Sequence, residues 1–176
     1  IKINAVVMPG VNEEDIVPLA DYAVHHGAQL RFIEQMPLGP REQWRREDMV
    51  TAEDILARLR THFSMESARE PRGSAPAALW EVSAPDGTRG TLGIIASVTH
   101  PFCGDCDRTR LTTDGAIRNC LFGNSETPLR DLLRSGASDE DIMEAWAGEM
   151  WTKKPGHGID DEGFLQPDRP MSAIGG

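Results

Sequence analysis

The opening stretch Ile1-Lys-Ile-Asn-Ala-Val-Val-Met8, with the helix and strand patterns that follow it, decides the fold class of this 176-residue chain. Its β-branched residues predict a strand that ends at Pro9-Gly10. Asn12 then has the position of a helix N-cap, and apolar residues continue at helical spacing up to Gly27. Residues 30–36 predict a second strand. A strand-helix-strand unit of this length has parallel strands and a right-handed crossover, so the sequence indicates an α/β fold.

The middle of the chain predicts a boundary between domains. Thr51 has the position of the N-cap of a second helix. Residues 66–77 then contain the proline, glycine and serine that are typical of a linker. We therefore expect one domain over residues 1–65 and another over residues 66–176.

Two hairpins are predicted after the linker. Residues 78–98 contain two strand patterns on either side of Pro85-Asp86-Gly87, which is a strong turn signal. Residues 111–117 predict a second, shorter hairpin. This second hairpin would bring Cys120 back toward the loop that holds the first two cysteines.

The C-terminal part of the chain predicts two helices. Thr127-Pro128 is a good helix start, and Ser138 has the position of an N-cap for a longer helix. Ile142, Trp146 and Met150 form an apolar stripe along this longer helix. We expect the stripe to be packed in the core.

All three cysteines lie close together in the sequence, at Cys103, Cys106 and Cys120. Three thiolates can hold a metal centre but leave one position open, because structural zinc usually takes four ligands and an iron–sulfur cube takes one thiolate per iron. The Cys-x-x-Cys pair disfavours three merely buried thiols. Zinc with His100 or His157 as a fourth ligand remains an alternative.

Two arginines follow the second cysteine, and they indicate an anion site. Alternation along a strand would place Arg108 and Arg110 on one face, where each planar guanidinium can bind two phosphate oxygens. Lys2 and Arg31, on the two predicted parallel strands, are further candidates for phosphate contacts. A metal with an open position beside such arginines indicates a substrate pocket.

The formal net charge of -10 disfavours nonspecific nucleic-acid binding, which needs a basic surface. An anionic nucleotide can still bind where positive charge is local, because salt screens surface charges beyond about 8–10 Å. The sequence contains no apolar stretch of membrane-spanning length and no secretory leader, so we expect a soluble cytoplasmic protein. Ile1 lies directly inside a strand pattern, and we expect that a longer protein preceded it.

The run from Phe102 to Phe122, FCGDCDRTRLTTDGAIRNCLF, resembles the second cluster motif of the GTP 3',8-cyclase family of radical S-adenosylmethionine enzymes. The cysteine spacing, both arginines, the Asp114-Gly115 turn and the Cys-Leu-Phe ending all agree. The resemblance extends from Lys2 through the run Arg31-Phe-Ile-Glu34 to the terminal Gly175-Gly176. It therefore covers essentially the whole chain.

This resemblance implies a fold and an activity. The chain would be the C-terminal part of a lyase of molybdenum cofactor biosynthesis, with the last strands and helices of an incomplete (β/α) TIM-type barrel followed by an α+β domain that carries an iron–sulfur cluster. Such an enzyme uses a radical from S-adenosylmethionine to convert GTP into 3',8-cyclo-7,8-dihydro-GTP. The resemblance also implies a homodimer that passes its product to the next enzyme of the molybdopterin pathway.

Particular residues acquire roles through the same resemblance. A 4Fe–4S cluster with one open iron would be held by Cys103, Cys106 and Cys120. GTP would be bound by Lys2, Arg31, Arg108, Thr109 and Arg110. Met36 would contact S-adenosylmethionine, and the tail Gly175-Gly176 would reach into the active site.

The sequence also departs from the family pattern. No cysteine precedes Cys103, so the Cys-x-x-x-Cys-x-x-Cys motif of the family's first cluster is not in these residues. S-adenosylmethionine and that cluster would then be bound mainly by an N-terminal half, and we expect the chain alone to be inactive. Pro9 stands where many relatives carry a basic residue. A second hypothesis is a zinc-stabilised interaction module whose arginines dock a phosphorylated partner.

Overall fold

The predicted strand-helix-strand unit begins the chain in the computed structural model, which describes residues 1–40 and 44–174. Strand β1 (Lys2–Val7), helix α1 (Ile16–His25) and strand β2 (Gln29–Glu34) follow one another. The two strands pair in parallel, with Lys2 opposite Gln29 and Val7 opposite Glu34. The α/β prediction is confirmed for this segment.

Three further strands complete the sheet of this first unit, which comprises Ile1–Met36 and Arg45–Phe102. They are β3 (Ser64–Ser67), β4 (Ala78–Ser83) and β5 (Arg89–Ile95). The spatial order is β1-β2-β5-β4-β3. Strand β5 pairs in parallel with β2, whereas β3, β4 and β5 pair with one another in antiparallel fashion. The result is a mixed sheet that contains the predicted hairpin of β4 and β5.

One face of this sheet carries the hydrophobic core. Helices α1 and α2 (Ala52–Arg60) both contribute to a single cluster of buried side chains that includes Leu30 and Phe32 of β2. These residues alternate along the strand with Gln29, Arg31 and Ile33, which are only partly buried. Because successive side chains of a strand point to opposite faces, Arg31 lies on the face turned away from the helices.

The two predicted caps of this unit behave differently. Thr51 caps α2 through a capping box, since its hydroxyl accepts from the Asp54 N–H while the Asp54 side chain accepts from Thr51. Asn12 makes no capping hydrogen bond. Its side chain instead bonds the Met8 N–H and the Val6 carbonyl, so it closes the turn after β1. Helix α1 therefore begins later, at Ile16, after a short 3-10 turn.

The division into compact units differs from the expected boundary between residues 65 and 66. That position falls inside β3, and β4 and β5 complete the sheet that β1 and β2 begin. The second unit comprises Pro37–Trp44 and Cys103–Gly176. The long connection after β2 provides its first residues, because Leu38 and Gly39 accept hydrogen bonds from Met171 and Gln166.

The second unit has a small sheet and two helices. Strands β6 (Arg110–Leu111), β7 (Ala116–Arg118) and β8 (Thr127–Pro128) pair in antiparallel fashion in that order. Strands β6 and β7 form the predicted second hairpin. Helix α3 (Leu129–Arg134) follows β8 directly, and α4 (Asp139–Trp151) begins at the predicted cap Ser138, which forms a capping box with Asp141.

The predicted core stripe of α4 is confirmed only in part. Ile142 and Met150 are partly buried, whereas Trp146 is 38% exposed. Within the described part of this helix, the one buried residue is Glu149, whose carboxyl group accepts from the Thr127 hydroxyl at 2.7 Å. In the described ranges, no helix is long and apolar enough to cross a membrane.

Candidate functional site

The three cysteines lie on two short segments of the second unit. Cys103 begins a single 3-10 turn, Cys103–Asp105, and the Cys106 N–H donates to the Cys103 carbonyl at 3.2 Å. Cys120 follows β7 after one residue, Asn119. The pairing of Arg110 with Arg118 joins the two segments through the hairpin. All three thiols are free and partly buried.

Each of the first two thiols has hydrogen-bond donors and charges around it. Burial and the negative charge of Cys120 raise the pKa of Cys103, although the His157 backbone N–H donates to its sulfur. Burial also acts to raise the pKa of Cys106. The backbone and side-chain donors of Arg108, with the positive charge of Lys153, outweigh burial, so the pKa of Cys106 lies below its ordinary value.

The thiols are within electrostatic reach of one another, as the effect of Cys106 and Cys120 on Cys103 shows. Within residues 1–40 and 44–174, no group of three or more histidine, cysteine, aspartate or glutamate side chains is arranged to hold a metal ion.

The two predicted anion-binding arginines are next to the thiols. The Arg108 guanidinium donates to the Cys106 sulfur at 3.4 Å. Burial and the positive charge of Arg108 lower the pKa of Arg110. Between them, Thr109 has a buried hydroxyl with no hydrogen-bond partner among the described residues. Two like charges held close together beside a buried hydroxyl form a site that an anion stabilises.

A buried arginine shapes the loop around Cys120. Arg118 is 2% exposed, and its guanidinium donates to the Glu126 carboxylate and to the Gly123 carbonyl. Glu126 also accepts two hydrogen bonds from Arg169, at 2.8 and 3.0 Å. Arg169 reaches Asp114 as well, at 3.2 Å. This network fixes both ends of the segment from Arg118 to Glu126, on which Cys120 lies.

The remaining cationic candidates belong to the first unit. Lys2 and Arg31 lie on β1 and β2 and share one face, because Lys2 is in register with Gln29 and Asn4 with Arg31. The Arg31 guanidinium donates twice to the Gln29 side-chain oxygen, at 2.9 and 3.1 Å. Thus one face of the sheet carries both cations.

The sequence model of the family described as Molybdenum Cofactor Synthesis C matches residues 28–159. The chain belongs to this family.

Three curated relatives of this Molybdenum Cofactor Synthesis C chain are named GTP 3',8-cyclase or GTP 3',8-cyclase 2. The GTP 3',8-cyclase of Corynebacterium glutamicum is 75% identical over 179 residues, which cover 100% of this chain and 47% of that enzyme. The GTP 3',8-cyclase of Mycobacterium ulcerans and the GTP 3',8-cyclase 2 of Mycobacterium tuberculosis are each 55% identical over 177 residues, covering 100% of this chain and 49% of each enzyme. The chain spans about half the length of the curated relatives it matches.

The other predicted site residues of this family member are placed as follows. Met36 is partly buried, two residues beyond the end of β2. His157 packs against Phe122 with ring centroids 4.8 Å apart, and its Nδ1 accepts from the Ile159 N–H. His100 belongs to the first unit. The predicted active-site tail, Gly175 and Gly176, lies outside the described residues.

Two residues with structural roles, one in each unit, were missed by the sequence reasoning. Glu34 is fully buried, and its carboxyl group accepts from the Ala52, Val98 and Thr99 backbone N–H groups and from the Thr99 hydroxyl. The signal was present, since Glu34 ends the strand on the face that carries Leu30 and Phe32. Lys153 donates to carbonyls on both cysteine segments. Its position after an exposed helix end gave no comparable signal.

Proposed function

We propose that this chain is the C-terminal part of a GTP 3',8-cyclase, a radical S-adenosylmethionine lyase that converts GTP into 3',8-cyclo-7,8-dihydro-GTP in the first step of molybdenum cofactor biosynthesis. The family membership and the names of the relatives support this proposal. The main structural support is that thiols and guanidinium groups lie together in one unit, where Arg108 donates to the Cys106 sulfur at 3.4 Å.

The donor set fits an iron–sulfur cluster. Cys103, Cys106 and Cys120 are free thiols on two segments, and the first two accept N–H donors of the kind that surround cluster sulfurs. These three cysteines would hold a 4Fe–4S cluster, which when bound supplies one open iron for the guanine of GTP.

The arginines would bind and orient the triphosphate. The Arg108 and Arg110 forks each offer several donors, and the buried Thr109 hydroxyl lies between them. On the first unit, Lys2 and Arg31 would supply further positive charge. Holding the ribose and guanine in position in this way lowers the barrier to ring closure, and well-oriented groups can contribute about 7–11 kcal/mol.

The first unit would be the end of a barrel. Strands β1, β2 and β5 are parallel neighbours with two helices on one face, an arrangement that supports the last strands of an incomplete (β/α) TIM-type barrel. Met36, just past the carboxyl end of β2, would contact S-adenosylmethionine there. Most contacts to S-adenosylmethionine, and the cluster that cleaves it, would belong to the part of the relatives that this chain does not span.

Three further expectations belong to the same proposal. The whole enzyme would be a cytoplasmic homodimer and would pass its product to the next enzyme of the molybdopterin pathway. Gly175 and Gly176 would reach into the active site, where glycine lets the backbone approach a ligand closely. Loss of cyclisation on appending one alanine after Gly176, with GTP affinity retained, would support that role for the tail.

The first experiment identifies the metal. After anaerobic reconstitution we expect the 176-residue chain to be brown and to contain about four irons, as one cube requires. Cys106→Ser should lose most of this iron, whereas Asp105→Ser, at an exposed position in the same turn, should keep it. Stoichiometric zinc with no iron would contradict the proposal and favour the zinc-stabilised module.

A second experiment tests the arginines in a hybrid enzyme. Residues 1–176 would replace the matching segment of the Corynebacterium glutamicum GTP 3',8-cyclase, to which they are 75% identical. Arg108→Ala or Arg110→Ala should weaken GTP binding roughly ten- to a hundredfold, because a charge-assisted hydrogen bond contributes about 1.5–3 kcal/mol. Arg134→Ala, at an exposed position of α3, is the matched control. Equal GTP affinity in all three variants would remove the arginines from the site.

A further inference from the structure

Lys153 connects the two segments that carry the cysteines. It comes directly after Thr152, the C-cap of α4, and its Nζ donates to the Arg108 carbonyl at 2.7 Å. The same Nζ also donates to the Asn119 carbonyl. Arg108 lies two residues after Cys106, and Asn119 directly precedes Cys120. One ammonium group therefore spans both arms of the thiol site.

A second contact from the same helix end strengthens this connection. The Asn119 side chain is buried, and its Nδ2 donates to the Glu149 carbonyl at 2.9 Å and to the Thr152 hydroxyl at 2.8 Å. The last turn of α4 thus contacts the Cys120 segment through both the backbone and the side chain of Asn119.

The strands between the two segments are short. Strands β6 and β7 pair through Arg110 with Arg118 and Leu111 with Ile117, and the Thr112 N–H donates to the Ala116 carbonyl just beyond them. A ladder of this length fixes the separation of its ends weakly. An ammonium group is suited to the task, because it has three donors and no acceptor, and its bonds to carbonyls are charge-assisted.

We propose that Lys153 is a positioning residue, which holds the Cys106 and Cys120 segments at the separation at which the three thiols can share one metal centre. The inference rests on the proposed cluster-binding function of Cys103, Cys106 and Cys120. It assigns Lys153 no contact with substrate or with the cluster. The proposed role depends on the hydrogen bonds from Lys153 to the Arg108 and Asn119 carbonyls.

The test compares three variants of the 176-residue chain. Lys153→Met keeps a long side chain and removes all donors. Lys153→Arg keeps the charge and several donors and should restore the parent's behaviour. Lys154→Met is the matched control, because Lys154 is the exposed neighbour of the same charge.

The first readout does not involve metal. Hydrogen exchange of the backbone amides between residues 107 and 123 should be about tenfold faster in metal-free Lys153→Met than in Lys154→Met, which corresponds to about 1.4 kcal/mol. Exchange within β1, β2 and β5 should be unchanged, and this comparison separates a local effect from general unfolding. Lys153→Arg should return exchange toward the parent.

The second readout uses Co²⁺ as a probe of thiolate binding, through its sulfur-to-metal charge-transfer absorption. Lys153→Met should bind Co²⁺ about tenfold more weakly than Lys154→Met, with Lys153→Arg close to the parent. Equal exchange rates and equal Co²⁺ affinity in the Met variants would overturn the role of Lys153. If the parent loads no iron but Lys153→Met exchanges faster, the segment connection stands and the proposed cluster function fails.

Discussion

Replacing Glu34 should destabilise the first unit strongly, because this one side chain satisfies four donors from two distant parts of the chain. It is fully buried at the end of β2. One carboxyl oxygen accepts from the Ala52 N–H at 2.7 Å and from the Thr99 hydroxyl. The other accepts from the Val98 and Thr99 N–H groups, at 2.8 and 2.9 Å. The acid thereby joins the start of α2 to the segment after β5.

The magnitude differs between two substitutions of Glu34. In Glu34→Ala, the buried Ala52 and Val98 N–H groups both lose their acceptor, and each costs about 1–3 kcal/mol. With the cavity added, we expect a loss of at least about 3 kcal/mol in the free energy of unfolding. In Glu34→Gln, the amide oxygen can keep Val98 and Thr99 as donors. The Thr99 hydroxyl can rotate to accept, so only Ala52 loses its acceptor, at a cost of about 1–3 kcal/mol.

The assay is urea denaturation followed by circular dichroism, with hydrogen exchange at the Val98 and Thr99 amides as a local readout. Glu81→Gln, at an exposed position of β4, is the matched control and should stay within about 0.5 kcal/mol of the parent. Glu34→Ala should be the least stable variant and show the fastest local exchange, Glu34→Gln should be intermediate, and Glu81→Gln should stay close to the parent in both measurements. A Glu34→Gln variant as stable as Glu81→Gln would refute the reasoning.

Three further predictions follow from contacts in the two units. The hydrogen bond that His25 donates to the Asp86 carboxylate, aided by the one to the Asp21 carbonyl, raises the pKa of His25 above 6.5. The same contact with His25 lowers the pKa of Asp86 from 3.8 to about 2. The pair's stabilisation should therefore be full between about pH 4 and 6.5 and be lost as pH rises through the raised His25 pKa or falls toward 2. His25→Asn should lower the urea midpoint at pH 5.5 more than at pH 9, and an equal loss at both would contradict this. Gly93→Ala would place a Cβ 2.9 Å from the Arg31 Cγ and 3.2 Å from the Ala77 Cβ. We therefore expect a loss of about 1–3 kcal/mol in the free energy of unfolding, which Arg31→Ala should partly relieve. Losses that simply add in the double variant would contradict this crowding. Ser138→Ala removes the capping box of α4 and should cost about 1 kcal/mol in chemical denaturation, while Ser125→Ala, at an exposed position, should cost less than about 0.5 kcal/mol, and equal costs would rule out the cap.

Local patterns in the sequence determined most of the secondary structure and the chemistry of the site. The strand-helix-strand opening, the Thr51 and Ser138 caps and the turn at Pro85-Asp86-Gly87 depend on residues a few positions apart, so the sequence carries them directly. The cysteine spacing and the two arginines likewise indicate a thiol and anion site from the sequence itself. The family match covers the same region, residues 28–159.

Tertiary structure alone decided the features that depend on distant partners. Strand β5 pairs with β2 across about sixty residues of sequence. This pairing places β5 in the sheet of the first unit, which therefore extends to Phe102. The apolar stripe of α4 predicted a core helix, yet the one buried residue in the described part of this helix is Glu149, whose carboxyl group accepts from the Thr127 hydroxyl of β8. Glu34 and Lys153 owe their roles to carbonyl and N–H groups far along the chain. Such groups are the same in every residue, so a sequence cannot show which side chain will meet them.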